Sequence, residues 1–592
     1  MAEKEPVALE TIDQPEAKKA ARDNLSSRSP GARVQTGPYV SVQVNVDGTG
    51  HNIVGDAANE PSIAVNPLNP LNMVIGWRQF NSVTSNFRQG GWAYTFNKGT
   101  TWTFPGVLTP GTFRSDPVID VDGLGVFYYQ SLKSDFTLDV FKSFNGGATW
   151  GAPVPSFGGD KNWLVIDRTN GPGNGMLYGI WQRFASCCDV NVLTRSVDTG
   201  ASFQTPVPVQ TSPTFGMLAV GPNGTVYAAG IDGTSTQDFT HFVLARSTNT
   251  PSPGTPPVFT GQRIDLGGSM QLSADPNPVG LLGQATVSTD HSNGPTRGNV
   301  YVLAAVAIDG FDPMDVNIVR SVDGGQTFSA PVRVNDDPAI ATHWHWMAAH
   351  AVAPNGRIDA IWFDTRDSGL SNISRLYYAY SWDAGVTWST NVPASPPFDT
   401  HVGWPQQSKM GDYSTIVSDA TGADVAYAAT FNNEQDVYYV RLFPDCNGNG
   451  VPDATDIASH VSTDCNLDNI PDECGVSPAC AGAGAGTVVP LTLAKGAGGA
   501  ITMSWGASCV ASDSDYEVYE GTLLSFGTRA PRTCSTGGAL TYGLTPAAGD
   551  TYYLVVPANA SREGSYGTDS SNVQRPPAAG ACLLQARRAC GG

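Results

Sequence analysis

The chain has 592 residues with 41% hydrophobic and 9% aromatic content, enough for several buried cores. Its 66 Gly, 42 Pro and low charged fraction of 15% predict short strands, many turns and an all-β fold. The net charge of −20 argues against nucleic acid or anionic membranes as partners held by overall electrostatics. No apolar run reaches the roughly 18 residues of a membrane span, so we predict no membrane insertion.

Residues 1–38 are polar and contain Pro and Ser, which predicts a flexible N-terminal tail. No leader is visible in the sequence, and eight of the ten cysteines follow residue 445. Both features are typical of a mature protein of an oxidising compartment, so we predict a secreted or cell-surface location. Residues 39–46 then alternate apolar and polar side chains, which predicts a β-strand.

A hairpin pattern of two apolar strands recurs along residues 39–443. Its seven copies begin near Glu60, Asp116, Asn162, Gly216, Gln284, Met347 and Asp412. The last copy is followed by only one further strand, at residues 437–442. We therefore predict that residues 40–46 supply the missing outer strand and close a ring of seven blades.

A second repeat has the pattern Ser-x-Asp-x-Gly-x-Thr-Trp/Phe. It occurs at residues 321–328, 143–150, 196–203 and 381–388, with a degenerate copy at 96–102. The glycine permits a positive φ, Asp and Ser accept hydrogen bonds from turn amides, and we expect the aromatic residue to pack against its own sheet. The closing aromatic residues are 48, 53, 125 and 60 positions apart, and the gap of 125 leaves room for two units.

These repeats resemble the Asp-box of the sialidase-like β-propeller family. The resemblance implies a propeller at residues 39–443, with each box on the turn between the two outer strands, on the face away from the central funnel. True sialidases have six blades, so the count of seven departs from them. The resemblance also implies that the protein acts on glycans.

Strand direction selects the residues that face the funnel, because the start of each inner strand and the end of the next strand share one edge. Residues at these positions include Glu60, Arg78, Arg114, Asp116, Lys161, Trp163, Arg183, His343, His345, Asp364, Arg366, Lys409, Asp412 and Tyr413. The arginines and lysines among them predict a cationic funnel that binds an acidic oligo- or polysaccharide, such as a cell-surface or matrix glycan.

The family implies a hydrolytic mechanism for these residues. Sialidases hold the substrate carboxylate with three arginines, attack with a tyrosine activated by a glutamate, and use an aspartate as the acid. The matching positions here are Arg78, Arg114 and Arg366 for the clamp, Tyr413 for the nucleophile, Glu60 for its partner, and Asp116 or Asp364 for the acid. The family's Arg-Ile-Pro signature is absent, and Phe113-Arg-Ser-Asp-Pro only approximates it.

Other readings of the funnel remain open. His343 and His345 lie on one side of a strand, so either residue could abstract the C5 proton of a uronate, with Tyr413 as proton shuttle and Arg366 against the carboxylate. Some seven-bladed relatives of the sialidases are lyases of this kind. The two histidines could also hold a metal with Asp412 or Asp364, and the funnel could bind glycan or protein without catalysis.

Arg183, Lys161 and Trp163 are further candidates for contact with substrate. The adjacent Cys187 and Cys188 follow Arg183, and a disulfide between them would form a rigid apolar platform. Two free thiols are the alternative, which an oxidising compartment disfavours.

Residues 444–480 change to an acidic composition with two copies of a calcium-loop spacing. The predicted ligands are Asp445, Asn447, Asn449, Val451, Asp453 and Asp456 in the first copy, and Asp464, Asn466, Asp468, Ile470 and Asp472 in the second. The doublet resembles dockerin and thrombospondin type-3 repeats, which implies structural Ca²⁺; we predict no organic cofactor. Pairing among Cys446, Cys465, Cys474 and Cys480 cannot be deduced from the sequence.

A Gly/Ala linker precedes the last segment, residues 487–592, whose alternating strands predict a small β-sandwich. This segment resembles a fibronectin type III module. We therefore predict a monomeric, modular all-β protein whose propeller hydrolyses an acidic glycan, with elimination as one alternative and binding without catalysis as the other.

Overall fold

The structure is a computed structural model that describes residues 32–308, 312–459, 461–462, 464, 470–471, 474, 491–510, 512–525, 528–567, 575, 578 and 580–585. The chain divides into two compact units, Met1–Phe443 and Pro444–Gly592. Nearly all of the regular secondary structure in the described residues is β-strand, as the composition predicts. None of their helices is long and apolar enough to cross a bilayer.

The first unit contains seven antiparallel sheets, which we number in chain order. Two strands, β1 (Arg33–Thr36) and β2 (Tyr39–Gln43), come before sheet 1. Sheet 1 contains β3 (Ala57–Val65), β4 (Met73–Phe80), β5 (Arg88–Thr95) and β6 (Thr103–Val107); sheet 2 contains β7 (Ser115–Val121), β8 (Phe127–Leu132), β9 (Leu138–Ser143) and β10 (Val154–Pro155). Sheet 3 contains β11 (Trp163–Ile166), β12 (Leu177–Ile180) and β13 (Leu193–Ser196).

The remaining sheets follow the same order. Sheet 4 contains β14 (Leu218–Val220), β15 (Val226–Asp232), β16 (Asp238–Ser247) and β17 (Thr260–Ile264); sheet 5 contains β18 (Thr286–Thr289), β19 (Val300–Val306), β20 (Asp315–Ser321) and β21 (Val332–Arg333). Sheet 6 contains β22 (His345–Val352), β23 (Ile358–Asp364), β24 (Ile373–Ser381) and β25 (Val392–Pro393), with β26 (Phe398–Asp399) paired to β24. Sheet 7 contains β27 (Thr415–Asp419), β28 (Gly422–Ala429) and β29 (Asp436–Leu442).

The sheets form a closed, propeller-like ring. The first strand of each sheet contacts the first strand of the next, and β27 of sheet 7 contacts β3 of sheet 1. The strand β2 pairs with β29, with Ser41 opposite Val440, so the predicted closure by the N-terminal strand is confirmed. The strand β1 pairs in turn with β2. The prediction of a flexible tail is therefore wrong for Arg33–Thr36, whose backbone groups complete the sheet edge; residues 1–31 lie outside the described part.

The Asp-boxes form the predicted turn contacts. In the box of sheet 5, Asp323 Oδ1 accepts hydrogen bonds from the amides of Gln326 and Thr327, both at 2.9 Å, and Ser321 Oγ accepts from Gly325 N at 2.8 Å. In sheet 6, Ser381 is opposite Ile358, whereas Asp364 is opposite Arg375 at the other end of the pair. The box of this sheet therefore lies at the end opposite Asp364.

The expected packing of a box aromatic against its own sheet is confirmed for Trp150, whose ring centroid lies 5.7 Å from that of Tyr129 in sheet 2. Trp150 and Trp102 also contact the neighbouring sheet. Trp150 of the sheet 2 box packs edge-on against Trp92 of sheet 1, with ring centroids 6.4 Å apart. Trp102 of the sheet 1 box packs against Tyr439 of sheet 7. The aromatic side chain fills the space between two neighbouring sheets because the twist of the sheets leaves them splayed at that edge. Each of these boxes therefore fastens its sheet to the preceding one.

The second unit begins with α1 (Asp453–Ala458). Its strands form two sheets, β30 (Leu491–Lys495), β31 (Ile501–Trp505) and β34 (Thr541–Leu544), and β32 (Asp515–Thr522), β33 (Ala530–Thr533), β35 (Thr551–Ala558), β36 (Arg562–Glu563) and β37 (Leu584–Gln585). A short 3₁₀ turn spans Ala497–Gly499. Met503 and Trp505 of the first sheet share a buried core with Val518 and Val555 of the second. Disulfides join Cys446 to Cys474 and Cys534 to Cys582.

Candidate functional site

Each sheet of the ring has a backbone irregularity near the start of its first strand. The residues with positive φ at these points are Glu60, Asp116, Lys161, Phe215, Gly283, Met347 and Gly411. In sheets 1, 2 and 6 the strand register shifts there, which is the signature of a β-bulge. Bulges redirect side chains. Four of the predicted funnel residues, Glu60, Asp116, Lys161 and Asp412, lie at these irregularities or directly next to them.

We call the first group of polar side chains the central cluster: Glu60, Arg78, Asp116, Lys161, Lys409, Asp412 and Tyr413. Arg78 Nε lies 3.0 Å from Glu60 Oε2, and Asp412 Oδ2 lies 2.5 Å from Lys161 Nζ and 3.0 Å from Lys409 Nζ. The amide of Lys161 donates to Asp116 Oδ2 at 2.9 Å. Six of these residues are at most 4% exposed and the Lys161 side chain is 9% exposed, so the cluster is largely shielded from bulk water.

Burial dominates the protonation of the central cluster. It raises the pKa of Glu60 to about 8, against the attraction of Arg78. Burial also opposes ionisation of Asp412, but Lys161 and Lys409 together hold the pKa of this carboxyl well below its ordinary value. The pKa of Tyr413 is raised well above its usual range by burial and by the carboxylates of Glu60 and Asp116. The Tyr413 hydroxyl donates to the Pro117 carbonyl at 2.9 Å, and its ring lies edge-on to Trp163.

A second group, the histidine cluster, lies between sheets 5 and 6 and contains Asp312, Asp315, Arg333, Asp337, His343, His345, Asp364 and Arg366. Asp337 is its hub. Its Oδ2 lies 2.7 Å from His343 Nδ1, and its Oδ1 lies 2.9 Å from His345 Nε2 and 3.3 Å from Arg366 Nη2. Burial alone would raise the pKa of Asp337, but these donors hold it well below its ordinary value.

The surroundings of His345 favour its imidazolium form. Its Nδ1 lies 2.6 Å from the Met314 carbonyl, and its Nε2 faces Asp337 and, at 3.5 Å, Asp364. Nδ1 is within hydrogen-bond distance of a carbonyl acceptor, whereas Nε2 lies close to two carboxylates without forming a hydrogen bond in the described part of the chain. Burial lowers the pKa of His345, but Asp337 and Asp364 outweigh it and raise the pKa. His345 is therefore unsuited to act as a base.

His343 has the opposite character. Its Nδ1 donates to Asp337, and within the described residues its Nε2 contacts no partner. Its side chain is 13% exposed, so solvent reaches the ring. A histidine whose Nδ1 is held by a carboxylate presents Nε2 as a base, the arrangement that orients general bases in many enzymes. His343 can therefore accept a proton from a bound molecule.

The predicted cations do not form an unbalanced positive funnel. Arg114 pairs with Asp139 at 2.7 Å, Arg183 pairs with Asp189 at 3.1 Å, and Arg366 pairs with Asp336, Asp337 and Asp364. The central cluster neutralises Arg78, Lys161 and Lys409 in the same way. Arg78, Arg114 and Arg366, the three arginines of the expected clamp, are each paired with separate carboxylates.

The adjacent Cys187 and Cys188 form a disulfide, with Cα atoms 3.8 Å apart. Gly158 N donates to Cys187 Sγ at 3.3 Å, and Arg183 donates to the Thr234 carbonyl. The sequence left open a disulfide or two free thiols here, and the structure has the disulfide. It lies on the loop after β12, beside Arg183.

The first predicted calcium loop gathers its side chains around Asp456. The side-chain amides of Asn447 and Asn449 donate to Asp456 Oδ2 at 3.1 and 2.9 Å. The backbone amides of Asn449 and Gly450 donate to the Asp445 carboxylate. Asp453 Oδ1 accepts from Cys446 N. If the side-chain amides of Asn447 and Asn449 flip so that their oxygens face Asp456, every ligand atom that these side chains offer is an oxygen, which fits Ca²⁺. In the second loop, Asn466, Asp468 and Asp472 lie outside the described residues, so only Asp464 and Ile470 are described.

Asp337 is the functional residue that the sequence patterns missed. It follows β21, the outer strand of sheet 5, and outer strands end at the same edge at which inner strands begin. The sequence rule selected residues at the start of each inner strand and at the end of the next strand. Extended to the end of each outer strand, the same rule selects Asn335-Asp336-Asp337. Arg333 was missed for the same reason.

Comparisons with known proteins give distant likenesses of structure. No protein-family profile and no curated protein matches the sequence. A Dyadobacter fermentans protein of unknown function is 15% identical, over 68% of this chain and 98% of that one, with a TM-score of 0.38. A polysaccharide lyase described as an ulvan lyase is 12% identical over 65% and 93%, with a TM-score of 0.39. A Trypanosoma rangeli sialidase is 12% identical over 91% and 88%, with a TM-score of 0.35.

Proposed function

We propose that the first unit is a seven-bladed β-propeller that cleaves an acidic polysaccharide by β-elimination, with His343 as the base. One observation carries this proposal. Asp337 binds Nδ1 of His343, which leaves Nε2 of the same ring available to a substrate. Elimination is preferred over the hydrolysis expected from the family because Tyr413, the expected nucleophile, is 4% exposed and donates its proton to a backbone carbonyl.

The reaction assigns both proton transfers to one residue. His343 Nε2 removes the C5 proton of a uronate, the C4–O4 bond breaks, and a double bond forms between C4 and C5. The resulting imidazolium then returns the proton to O4 of the leaving sugar on the same face of the ring. Asp337 stabilises the imidazolium, as a carboxylate does when it holds the other nitrogen of a catalytic histidine. No separate tyrosine acid is needed.

Arg366 is the residue placed to neutralise the uronate carboxylate. Its guanidinium stacks over Tyr377 at 4.6 Å and is fixed by Asp364, which accepts from Nε at 2.8 Å. Its outermost partner is Asp336, at 2.6 Å from Nη1, and this carboxylate is 43% exposed. An exposed ion pair contributes little free energy, so a substrate carboxylate can replace Asp336 at small cost.

Incubation of the protein with a panel of uronate polymers tests the proposal. We expect the ultraviolet absorbance of an unsaturated uronate to rise, and His343→Ala to abolish the rise. His241→Ala is the matched control, because this exposed histidine on β16 contacts neither cluster. Cleavage that yields only saturated ends would contradict elimination, and binding without cleavage would favour a non-catalytic glycan receptor.

Hydrolysis is the second candidate, favoured by the convergence of Glu60, Asp116 and Tyr413 in the central cluster. The Glu60 carboxyl, with its pKa raised to about 8 by burial, is protonated at neutral pH and could serve as an acid. This reading requires the cluster to open toward solvent. Release of the fluorophore from a fluorogenic sialoside, and its loss in Tyr413→Phe, would support hydrolysis.

We infer a calcium-binding linker at residues 444–480, similar to dockerin and thrombospondin type-3 repeats, and a fibronectin type III-like sandwich at 487–592. The disulfides Cys446–Cys474 and Cys534–Cys582 favour secretion or a cell-surface location. The partner is proposed to be an acidic cell-surface or matrix glycan, bound by a monomer.

A further inference from the structure

The loop between β12 and β13 carries groups that the proposed elimination does not use. Trp163, at the start of the inner strand of sheet 3, is opposite Ile180, so this loop lies at the edge where inner strands begin, as His343 does in sheet 6. We give one name, the sheet 3 platform, to surface groups of this loop and of the loop before β11: Phe157, Arg183, Phe184 and the Cys187–Cys188 disulfide. Phe157 and Phe184 are 37% and 45% exposed, so two large apolar rings are open to a ligand.

Arg183 differs from the other predicted funnel arginines in the exposure of its partner. Arg78, Arg114 and Arg366 each pair with a carboxylate whose side chain is at most 7% exposed. In the described part of the chain, Arg183 pairs with one carboxylate, Asp189, which lies 3.1 Å from Nη2 and is 76% exposed. An exposed ion pair contributes little free energy, so an incoming anion can replace Asp189 at small cost.

The guanidinium of Arg183 is held in place by groups other than Asp189. Its Nη1 donates to the Thr234 carbonyl, and its Cζ lies 5.5 Å from the centroid of the Phe184 ring. Asp189 accepts from Nη2 alone, and Nε is buried and contacts no acceptor among the described residues. A carboxylate in bidentate contact accepts from Nε and Nη2 together, so such a ligand would satisfy a donor that Asp189 leaves unpaired.

The sheet 3 platform is preformed by contacts between its two loops. Cys187 N donates to the Gly158 carbonyl at 2.9 Å, and Gly158 N donates to Cys187 Sγ at 3.3 Å. Asp160 N donates to the Ala185 carbonyl at 2.8 Å. Phe157 has φ +61°, a left-handed conformation that bulky residues rarely adopt and that is concentrated at binding sites. A surface fixed in this way loses little conformational entropy when a ligand binds.

We propose that the sheet 3 platform binds a second uronate of the polysaccharide, away from the bond that His343 breaks. Arg183 binds the carboxylate of this uronate in place of Asp189, and the rings of Phe157 and Phe184 pack against the apolar face of the sugar. The choice of a uronate rests on the proposed function, whereas binding at the platform requires no cleavage.

Titration calorimetry of the full chain with a uronate polymer tests the proposal in a His343→Ala background, from which the proposed base is absent. Arg183→Ala should raise Kd by about tenfold or more, because charge-assisted hydrogen bonds to the carboxylate are lost. Asp189→Asn should lower Kd severalfold, because the amide carries no charge to compete with the ligand. Arg297→Ala is the control, since this exposed arginine lies on the turn between β18 and β19, at the edge that holds the box of sheet 5.

The opposite signs separate ligand binding from a structural role, because damage to the loop would weaken binding in both variants. Asp189→Asn also keeps the test decisive if Arg183→Ala fails to fold. Absence of binding, an unchanged Kd in a folded Arg183→Ala variant, or weaker binding by Asp189→Asn would overturn the proposal. If both affinity changes occur but the parent releases no unsaturated uronate, elimination is contradicted and the platform is retained.

Discussion

His343 Nδ1 lies 2.7 Å from Asp337 Oδ2, and this contact determines which histidine of the cluster can react. The same carboxylate binds His345 through its second oxygen. His345 lies beside Asp337, Asp364 and the Met314 carbonyl, which raise its pKa, whereas His343 retains an available nitrogen. Only one residue separates the two histidines in the chain, yet within the described residues only His343 has a ring nitrogen that no carboxylate or carbonyl approaches.

Asp337→Asn should lower kcat of the elimination by roughly 10²–10³-fold, because the amide no longer stabilises the imidazolium. The split between kcat and KM separates this role from a structural one. Without the carboxylate, kcat should fall while KM stays within about twofold of the parent value. An unchanged kcat in a folded variant would remove Asp337 from the reaction.

Asp336→Asn should lower KM for a uronate polymer, because the substrate carboxylate no longer competes with Asp336 for Arg366. The free energy of unfolding should change little, since Asp336 is 43% exposed. Steady-state kinetics would measure the KM of this variant. Asp265→Asn, a change on an exposed loop, is the control. A raised KM would show that Asp336 itself binds the substrate.

His345 should make stability depend on pH with a defined sign. Its folded pKa is raised above 6.5, so the free energy that its charge contributes is fully present below about pH 6.5 and is lost as the pH rises through the raised value. Denaturant unfolding of His345→Gln should therefore show less loss of stability at alkaline pH than the parent. An equal loss in both proteins would contradict the imidazolium assignment.

Gly147→Ala should test the boxes as contacts between sheets. Gly147 has φ +89°, and a Cβ there would lie 2.4 Å from Val74 Cγ2 of sheet 1. We expect the free energy of unfolding to fall by about 1–3 kcal/mol, with no change in kcat of the protein that remains folded. Gly48→Ala is the control, since nothing lies within 4 Å of its Cβ position.

Chelation of Ca²⁺ should expose the linker to proteolysis. Asp456 binds the amides of Asn447 and Asn449, and bound Ca²⁺ would replace these contacts with stronger ones. We expect EDTA to accelerate cleavage within residues 445–456, and Asp456→Ala to make cleavage insensitive to EDTA. Identical cleavage with and without EDTA in the parent would argue against Ca²⁺ in this loop.

The repeats allowed much of the ring to be predicted, because the pattern of a box or hairpin is local. The pairing of β2 with β29 was predictable for the same reason, since one sheet lacked a strand. A sixth box at Ser247 and Asn249 was missed because an insertion separates Asn249 from Val258, whose amide it binds. The pairing of funnel cations with acids was not predictable, since the partners come from strands distant in sequence.

The most direct measurement compares parent and His343→Ala on a uronate polymer, by ultraviolet absorbance of the product. Our account predicts a rising signal in the parent and none in the variant, with the same Tm for both. Full activity in a folded His343→Ala variant would contradict the assignment of His343 as the base.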